Sequence, residues 1–513
     1  MGERVRTVFI DNPPVNGLSA AVRSHLKREL EQALADADVE AIVLAGRGAS
    51  FTAGADIREF GKEPPAGTPS LPEVIDAFER STKPVVAAIQ GVAAGGGLEL
   101  ALGCHARIAS PGARLGLPEV TLGIIPGAGG TQRLPRLTGV REALSLITEG
   151  KLIPAAKARA LGIVDEVVEA DLLSAAIARA PGAPLRRTSG LPLAEDPAAI
   201  AEAEKAALKS RGLEAPLAAI EAVKAAGSKE GFRKEREIFL KLLGSSQSRA
   251  LRHVFFAERE AAKIPDVPRE TPTREIASAG VVGCGTMGGG IAMSFANAGT
   301  PVVIVESDAG ALERGLEKIR GLYEASLSKG RLSKEDFEKR MGLISGTGDF
   351  SRLSEADIVV EAVFEEMLVK KSVFEKLDSI CKQGAILATN TSSLDVDDIA
   401  ASTSRPGSVI GTHFFSPANV MKLMECVRGA ETSKETIASV LKLAKTLDKV
   451  AVLVRVCDGF VGNRMLYAYR RQADFLLEDG ALPHEVDQAV VDFGLPMGPY
   501  AMADLAGLDI GWA

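Results

Sequence analysis

Cysteine is scarce and unpatterned: Cys104, Cys284, Cys381, Cys426 and Cys457 are five in number and show no CxxC or metal-ligand spacing. That argues against a disulfide framework and a cysteine-held metal, and the thiols read as reduced, as in a cytosol-like compartment. Aromatic residues are few, with one Trp, four Tyr and 18 Phe in 513 residues, so a stacking platform for nucleic-acid bases is not expected. Basic charge is not in excess either. Lys and Arg number 60 against 67 Asp and Glu, a net of −7, and such a chain has no global field to attract nucleic acid or an anionic membrane. Any anionic ligand must be held by local groups. No run of eighteen apolar residues occurs, and the opening MGERVRTVFIDNPPVNGLS lacks the basic and apolar regions of a secretory leader, so neither a membrane span nor secretion is expected.

What is present is an ordinary globular balance, 46% hydrophobic and 25% charged, with 52 glycines. At roughly 150 residues per domain the length predicts about three or four domains. Residues 1–180 alternate β-branched runs (VRTVFI, EAIVLAG, KPVVAAIQG, HARIAS) with helical stretches, the α/β pattern, and 279–455 repeat it (AGVVGCG, PVVIVES, ADIVVEAVF, GAILATN, SVIGTHFF). Between them lie a Pro/Gly/Ala stretch, a segment with Phe232, Phe239, Leu242 and Leu243 on one stripe of a long amphipathic helix, and the proline-rich KIPDVPRETPTREIAS. The basic face of that helix reads as solvated, with a ligand phosphate as the alternative. After Gly459 only helical patterns continue. The expected division is 1–190, a linker with a long helix over 191–277, a nucleotide-binding unit over 278–457 and the start of a helical domain over 458–513.

Two groups of residues carry chemistry. In QGVAAGGGLELALGC a strand runs into Gly95-Gly96-Gly97 and then a helix bearing Glu99. Such a turn aims backbone N–H groups at a ligand oxygen beside a helix N-terminus, which suits a developing enolate. Twenty residues on, LGLPEVTLGIIPGAGGTQRLPRL presents Glu119 ahead of a second glycine-rich loop, and SFTAGADIREF ends an earlier strand. The other group begins with Gly283-x-Gly285-x-x-Gly288 between a predicted strand and helix, followed eighteen residues later by Glu306 at the end of the next strand. The glycines let a pyrophosphate approach the helix N-terminus, and an acid at the ribose 2′-hydroxyl disfavours a 2′-phosphate, so NAD is expected over NADP. His413 falls at a later strand end with Glu425 twelve residues on. Imidazole steadied by carboxylate is suited to taking a hydroxyl proton during alcohol oxidation.

FTAGADI, KPVVAAIQG-x-x-x-GGG-x-EL and LPE-x-x-LG-x-x-PGAGGTQRL, in this order, resemble the enoyl-CoA hydratase/isomerase (crotonase) family over residues 1–180. The resemblance implies that the N–H groups of Ala55 and Gly96 form an oxyanion hole for the acyl-CoA thioester and that Asp56, Ile57 and Arg58 line the CoA pocket. It further implies that Glu99 activates water while Glu119 protonates C2, with Δ3,Δ2-isomerisation in the same pocket as a further use of Glu119. NTSSL, THFFSP-x-x-x-MKL-x-E and GF-x-x-NR resemble the L-3-hydroxyacyl-CoA dehydrogenase family over residues 279–513. Here the implied base is His413, its paired acid Glu425, and the groups orienting the substrate oxygen Ser392 and Asn463. Glu361 falls near the nicotinamide ribose, or else is a solvated strand-end carboxylate. Ser416 stands where monofunctional members often carry Asn.

The two halves in this order resemble the fused, peroxisomal-type bifunctional β-oxidation enzymes and their bacterial counterparts. The implied fold is α/β: a crotonase-like spiral domain, a linker helix, a Rossmann NAD-binding domain and the start of an all-helical domain. The implied activity is hydration of trans-2-enoyl-CoA, then NAD-dependent oxidation of the L-3-hydroxyacyl-CoA, by a monomer or weak oligomer with a thiolase as partner and no metal. Alternatives are a hydratase alone, beside an inactive dehydrogenase half, and a non-catalytic acyl-CoA/NAD-binding protein. Because the resembled family continues beyond LAGLDIGW, a truncated helical domain is expected, and no Ser-Lys-Leu type address ends the chain. The bacterial cytoplasm is the favoured compartment, the peroxisome if the source is eukaryotic.

Overall fold

The computed structural model describes residues 4–209 and 212–506. The segment LAGLDIGW therefore falls largely outside the described residues. The chain divides into two compact units, Met1–Phe256 and Ala257–Ala513.

In the first unit the β-branched runs form strands β1 (Val5–Ile10), β2 (Ala41–Gly46), β3 (Val85–Ile89), β4 (Val92–Ala94), β5 (Ala106–Ala109), β6 (Arg114–Gly116), β7 (Ile153–Pro154) and β8 (Glu166–Val167). A parallel sheet takes the order β1-β2-β3-β5-β8, and β4-β6-β7 make a small second sheet. Every residue of β2 and β3 is buried, as expected of parallel strands covered on both faces. Side chains alternate between two cores: Ile42 and Leu44 enter the larger, Ala41, Val43 and Ala45 the smaller one under the helix Leu172–Arg179.

The segment expected as a linker is largely built into this unit. Helices Pro197–Ala207, Glu214–Lys224 and Gly231–Leu243 contribute Ala199, Ala219, Ile220, Phe239 and Leu242 to the larger core. The single long amphipathic helix is two, Gly231–Leu243 and Ser246–Ala261. Gly244 closes the first, donating its N–H to the Leu240 carbonyl, and the Ser245 hydroxyl accepts from Ser248 N at the start of the second. Phe232, expected on the buried stripe, is partly exposed under the Arg133 guanidinium.

The second unit holds β9 (Ala279–Val282), β10 (Val302–Val305), β11 (Ile344–Thr347), β12 (Ile358–Glu361), β13 (Ile386–Thr389), β14 (Val409–Phe414), β15 (Leu423–Arg428) and β16 (Val450–Arg455). They form one sheet, β11-β10-β9-β12-β13-β14-β15-β16. It is parallel throughout except at β14/β15. From β9 the chain adds β10 on one side and β12 on the other, so the order switches beside β9 and opens a crevice at the strands' carboxyl ends. Val281 and Ile304 face one core, Val282 and Val305 the other. Helices Gly462–Glu478, Pro483–Phe493 and Pro499–Ala506 follow. Among the described residues no helix is long and apolar enough to cross a membrane.

Candidate active sites

In the first unit β4 leads into Gly95, whose φ of +54° only glycine adopts readily, and the helix Gly96–Leu102 starts there. As the first residue of that helix, Gly96 has an N–H without an intrahelical acceptor. A methyl on Gly96 would stand 3.3 Å from the Ala55 N, and one on Gly54 3.3 Å from the Gly96 N, so the two amides are neighbours. Arg58 does not stand free: its guanidinium makes two hydrogen bonds to Asp56, at 2.9 and 2.7 Å, and holds that carboxyl below its usual range. Ile57 opens the short helical turn that Asp56 caps.

Glu99 and Glu119 converge on the glycine turn. Glu99, on the first turn of the helix, is buried, and its Oε1 accepts from Ala128 N and Gly130 N, both at 2.8 Å. Glu119 begins the helical turn Glu119–Leu122; its Oε1 lies 2.9 Å from where a Gly95 methyl would be, and its Oε2 has no protein partner. Burial pushes the Glu99 carboxyl up, against the two amides. Burial and then the charge of Glu99 push Glu119 well above the carboxylate range. The charge of Glu99 thus disfavours ionisation of Glu119, which of the two is pushed the further toward its protonated form.

A third acid, Glu235 of the helix Gly231–Leu243, completes the cluster, and sequence reasoning missed it. It is 1% exposed, accepting from Gly129 N at 2.6 Å, Thr131 N at 2.9 Å and the Thr131 hydroxyl at 2.5 Å. Burial and then the charge of Glu99 push it up to about 8. The available signal was its place on the apolar stripe, four residues before Phe239 and seven before Leu242, where an acid has no reason to be unless it is held.

In the second unit the glycine fingerprint forms the turn between β9 and the helix Thr286–Asn297. Gly283 has φ +102° and packs against the Ala362 carbonyl; a methyl on Gly288 would lie 2.0 Å from the Gly283 carbonyl oxygen; Gly285 is exposed and faces open space. Turn, helix N-terminus and opening together fit a dinucleotide pyrophosphate. Glu306, just beyond β10, receives the Cys284 N–H at 3.1 Å and so lies over the turn. The Cys284 thiol, pushed up to about 11 by burial and then by Glu306, stays protonated.

Across the antiparallel pair β14/β15, His413 stands directly opposite Glu425, with Nδ1 to Oε2 at 2.7 Å. Glu425 Oε1 accepts from Val461 N at 3.0 Å and Gly462 N at 2.8 Å. Burial raises the Glu425 carboxyl, but the bonds from His413, Gly462 and Val461 outweigh it and hold the group below its ordinary value. Phe415 and Phe460 flank the imidazole, with centroids at 4.4 and 5.9 Å. Ser392 and Asn463 also come together, the Asn463 amide lying 3.4 Å from the Ser392 carbonyl. Ser416 is exposed.

Glu361 departs from expectation. It is wholly buried and fully engaged: Oε1 pairs with Lys370 Nζ at 2.7 Å and accepts from Val363 N, while Oε2 accepts from the Thr389 hydroxyl. It is neither a solvated carboxylate nor free to meet a ribose, because Lys370 reaches back from the helix Met367–Ile380 to neutralise it. The acid that reaches the Ser392 loop is Glu365, whose Oε1 accepts from Ser392 N at 2.6 Å and the Ser392 hydroxyl at 3.1 Å, with Lys370 3.2 Å from its Oε2. Among the described residues no cluster of three or more His, Cys, Asp or Glu could hold a metal.

Comparison with known proteins agrees with both halves. Residues 1–186 match the family model for enoyl-CoA hydratase/isomerase, 278–457 that for the 3-hydroxyacyl-CoA dehydrogenase NAD binding domain and 459–513 that for its C-terminal domain. The peroxisomal bifunctional enzyme of Danio rerio is 47% identical over 99% of this chain and 72% of its own length. The peroxisomal fatty acid beta-oxidation multifunctional protein MFP2 of Arabidopsis thaliana is 39% identical over 99% of this chain and 73% of its own. Among solved structures, FadB2 of M. tuberculosis is 37% identical, covering 46% of this chain and 84% of that one at a TM-score of 0.45.

Proposed function

Because the chain belongs to the family in which an enoyl-CoA hydratase/isomerase is fused to a 3-hydroxyacyl-CoA dehydrogenase, we propose that the residues assembled above carry out its two consecutive reactions. The protein is a fatty-acid β-oxidation multifunctional enzyme. It hydrates trans-2-enoyl-CoA to L-3-hydroxyacyl-CoA and oxidises that product with NAD to 3-ketoacyl-CoA. The narrower readings, a hydratase alone or a non-catalytic binding protein, are not favoured.

In hydration, the thioester carbonyl sits against the Ala55 and Gly96 amides, which stabilise the enolate oxygen. Glu99, held as carboxylate by Ala128 and Gly130, takes a proton from water as its oxygen bonds to C3; Glu119, protonated, delivers its proton to C2. The raised Glu119, with an oxygen that no protein donor occupies, supports that division. Asp56, Ile57 and Arg58 border the CoA entry. Δ3,Δ2-isomerisation uses the Glu119 proton shuttle in the same pocket.

In oxidation, NAD when bound supplies the hydride acceptor. Gly283, Gly285 and Gly288 admit its pyrophosphate and Glu306 takes the adenosine ribose hydroxyls. His413 Nε2 accepts the substrate hydroxyl proton, and Glu425 stabilises the resulting imidazolium through Nδ1. Ser392 and Asn463 orient the oxygen, and Glu365 with Lys370, rather than Glu361, fixes the Ser392 loop.

We assign hydratase chemistry to 1–190 and dehydrogenase chemistry to 278–457 with 458–513. The 3-ketoacyl-CoA product makes a thiolase the natural partner of a monomer or weak oligomer. The two relatives described above are peroxisomal by name; for this chain the bacterial cytoplasm is proposed, or the peroxisome if eukaryotic. The observation carrying the reading is that one chain holds two assembled acid–base pairs, Glu99/Glu119 and His413/Glu425. NADH formation from crotonyl-CoA and NAD, which needs both, tests it; no NADH from a protein that binds both ligands would refute it.

A further inference from the structure

The backbone amides of the turn 128–131 are shared alternately between two buried acids. Ala128 N and Gly130 N donate to Glu99; Gly129 N and Thr131 N donate to Glu235. The turn is thus gripped from two sides, and side chains cannot intrude: a methyl on Gly130 would stand 2.9 Å from Glu99 Oε1, and one on Gly129 1.8 Å from Arg133 Nη1. Thr131 extends the grip, its hydroxyl bonding Glu235 and accepting from Gln132 Nε2 at 2.7 Å, which in turn donates to the Ala222 carbonyl.

We propose that Glu235 is a positioning residue for hydration, holding the turn 128–131 so that its other two amides keep Glu99 in place as the base. It touches neither substrate nor reacting atoms. The region matching the hydratase family ends at residue 186, so the base is oriented by a helix that lies outside it. The inference rests on the assignment of Glu99 as base.

The groups facing Glu235 decide the direction of its effect. Glu99 and Glu119 approach from their own elements and Arg236 lies on the same helix, while Arg133, of the helix Gly130–Thr138, acts on Glu99. Raised to about 8, Glu235 is protonated across the acid limb of kcat/KM, so replacing its carboxyl by a neutral amide would by itself leave that limb in place. Releasing the turn removes amide donors from Glu99 and moves that limb to higher pH. The two roles therefore give different outcomes, a shift to higher pH or none.

The test uses the full chain, with dehydrogenase activity on 3-hydroxybutyryl-CoA as an internal control. Glu235→Gln places an amide N–H where Thr131 N–H must be accepted, and Thr131→Val removes the hydroxyl without touching the Glu235 helix. For Glu235→Gln the expected result is a fall in hydration kcat of about ten- to a hundredfold, KM within twofold, and the acid limb at higher pH; Thr131→Val follows in the same direction, by less. Hydration within threefold of the parent in both variants, or an acid limb that does not move to higher pH, would overturn the proposal. So would parallel loss of hydration, thermal stability and dehydrogenase activity in both. Glu99→Gln run alongside separates the premises: if it still hydrates, the base assignment fails, and if only Glu235→Gln and Thr131→Val are silent, the clamp fails.

Discussion

Glu119→Gln isolates a single proton. The two side chains are nearly isosteric, Oε1 keeps its place beside Gly95, and Oε2 has no protein donor to lose, so the substitution removes only the ability to give a proton. General-acid transfer contributes about 10²- to 10⁴-fold. At about 1.4 kcal/mol per tenfold this raises the barrier by roughly 3–5 kcal/mol. Substrate binding, which we assign to the Ala55 and Gly96 amides, should be untouched, so the loss falls on kcat while KM stays within a few-fold. Hydration of crotonyl-CoA, followed as loss of enoyl absorbance, should drop at least a hundredfold. NADH formation from 3-hydroxybutyryl-CoA should stay within twofold of the parent, and NADH from crotonyl-CoA should disappear until a separate hydratase is added. A hydration loss below threefold would remove Glu119 as the acid, and loss of both activities would refute two separate sites.

Other outcomes follow from the same geometry. His413→Ala should cut NADH formation from 3-hydroxybutyryl-CoA by about 10²-fold or more while NAD affinity by calorimetry and crotonyl-CoA hydration are retained. Glu306→Ala should weaken NAD binding severalfold and erode its preference over NADP; unchanged affinity and preference would discard the ribose assignment. The Glu235 carboxyl, raised to about 8, binds a proton in the folded protein that the unfolded chain has released. Its contribution to stability is present below pH 4.5 and falls as pH rises toward 8, so the melting temperature of the parent should decline across that window more than that of Glu235→Gln.

Sequence resolved what is local. The strand alternation of AIVLAG and VVAAI, the Gly95 turn and the dinucleotide fingerprint each depend on residues within a few positions of one another, and each folds as its pattern predicts. The His413/Glu425 pairing is also near in sequence, twelve residues apart across one antiparallel turn. Glu235 was hidden because the amides it holds lie more than a hundred residues upstream, and in EGFRKEREIF an acid among basic residues looks like a solvated face. Glu361 misled for the opposite reason. Its strand-end position is shared by ligand-binding carboxylates, and only the return of Lys370 along the next helix shows that its charge is already spent. The break at Gly244 was visible as a glycine, yet the apolar stripe running up to it and the helical pattern beyond favoured one helix over two.

The carboxylate behind His413 has two oxygens with different allegiances: one belongs to the sheet, the other to the peptide amides that open the helix Gly462–Glu478. The sheet is complete at β16, and residues 461 and 462 lie beyond it. Without them the buried carboxylate would lack two of its three donors, and the imidazole it steers would be aimed by half a clamp. The proposed alcohol-oxidising centre is therefore completed only by the segment that follows the nucleotide-binding sheet, and NAD binding alone does not report that this segment is in place.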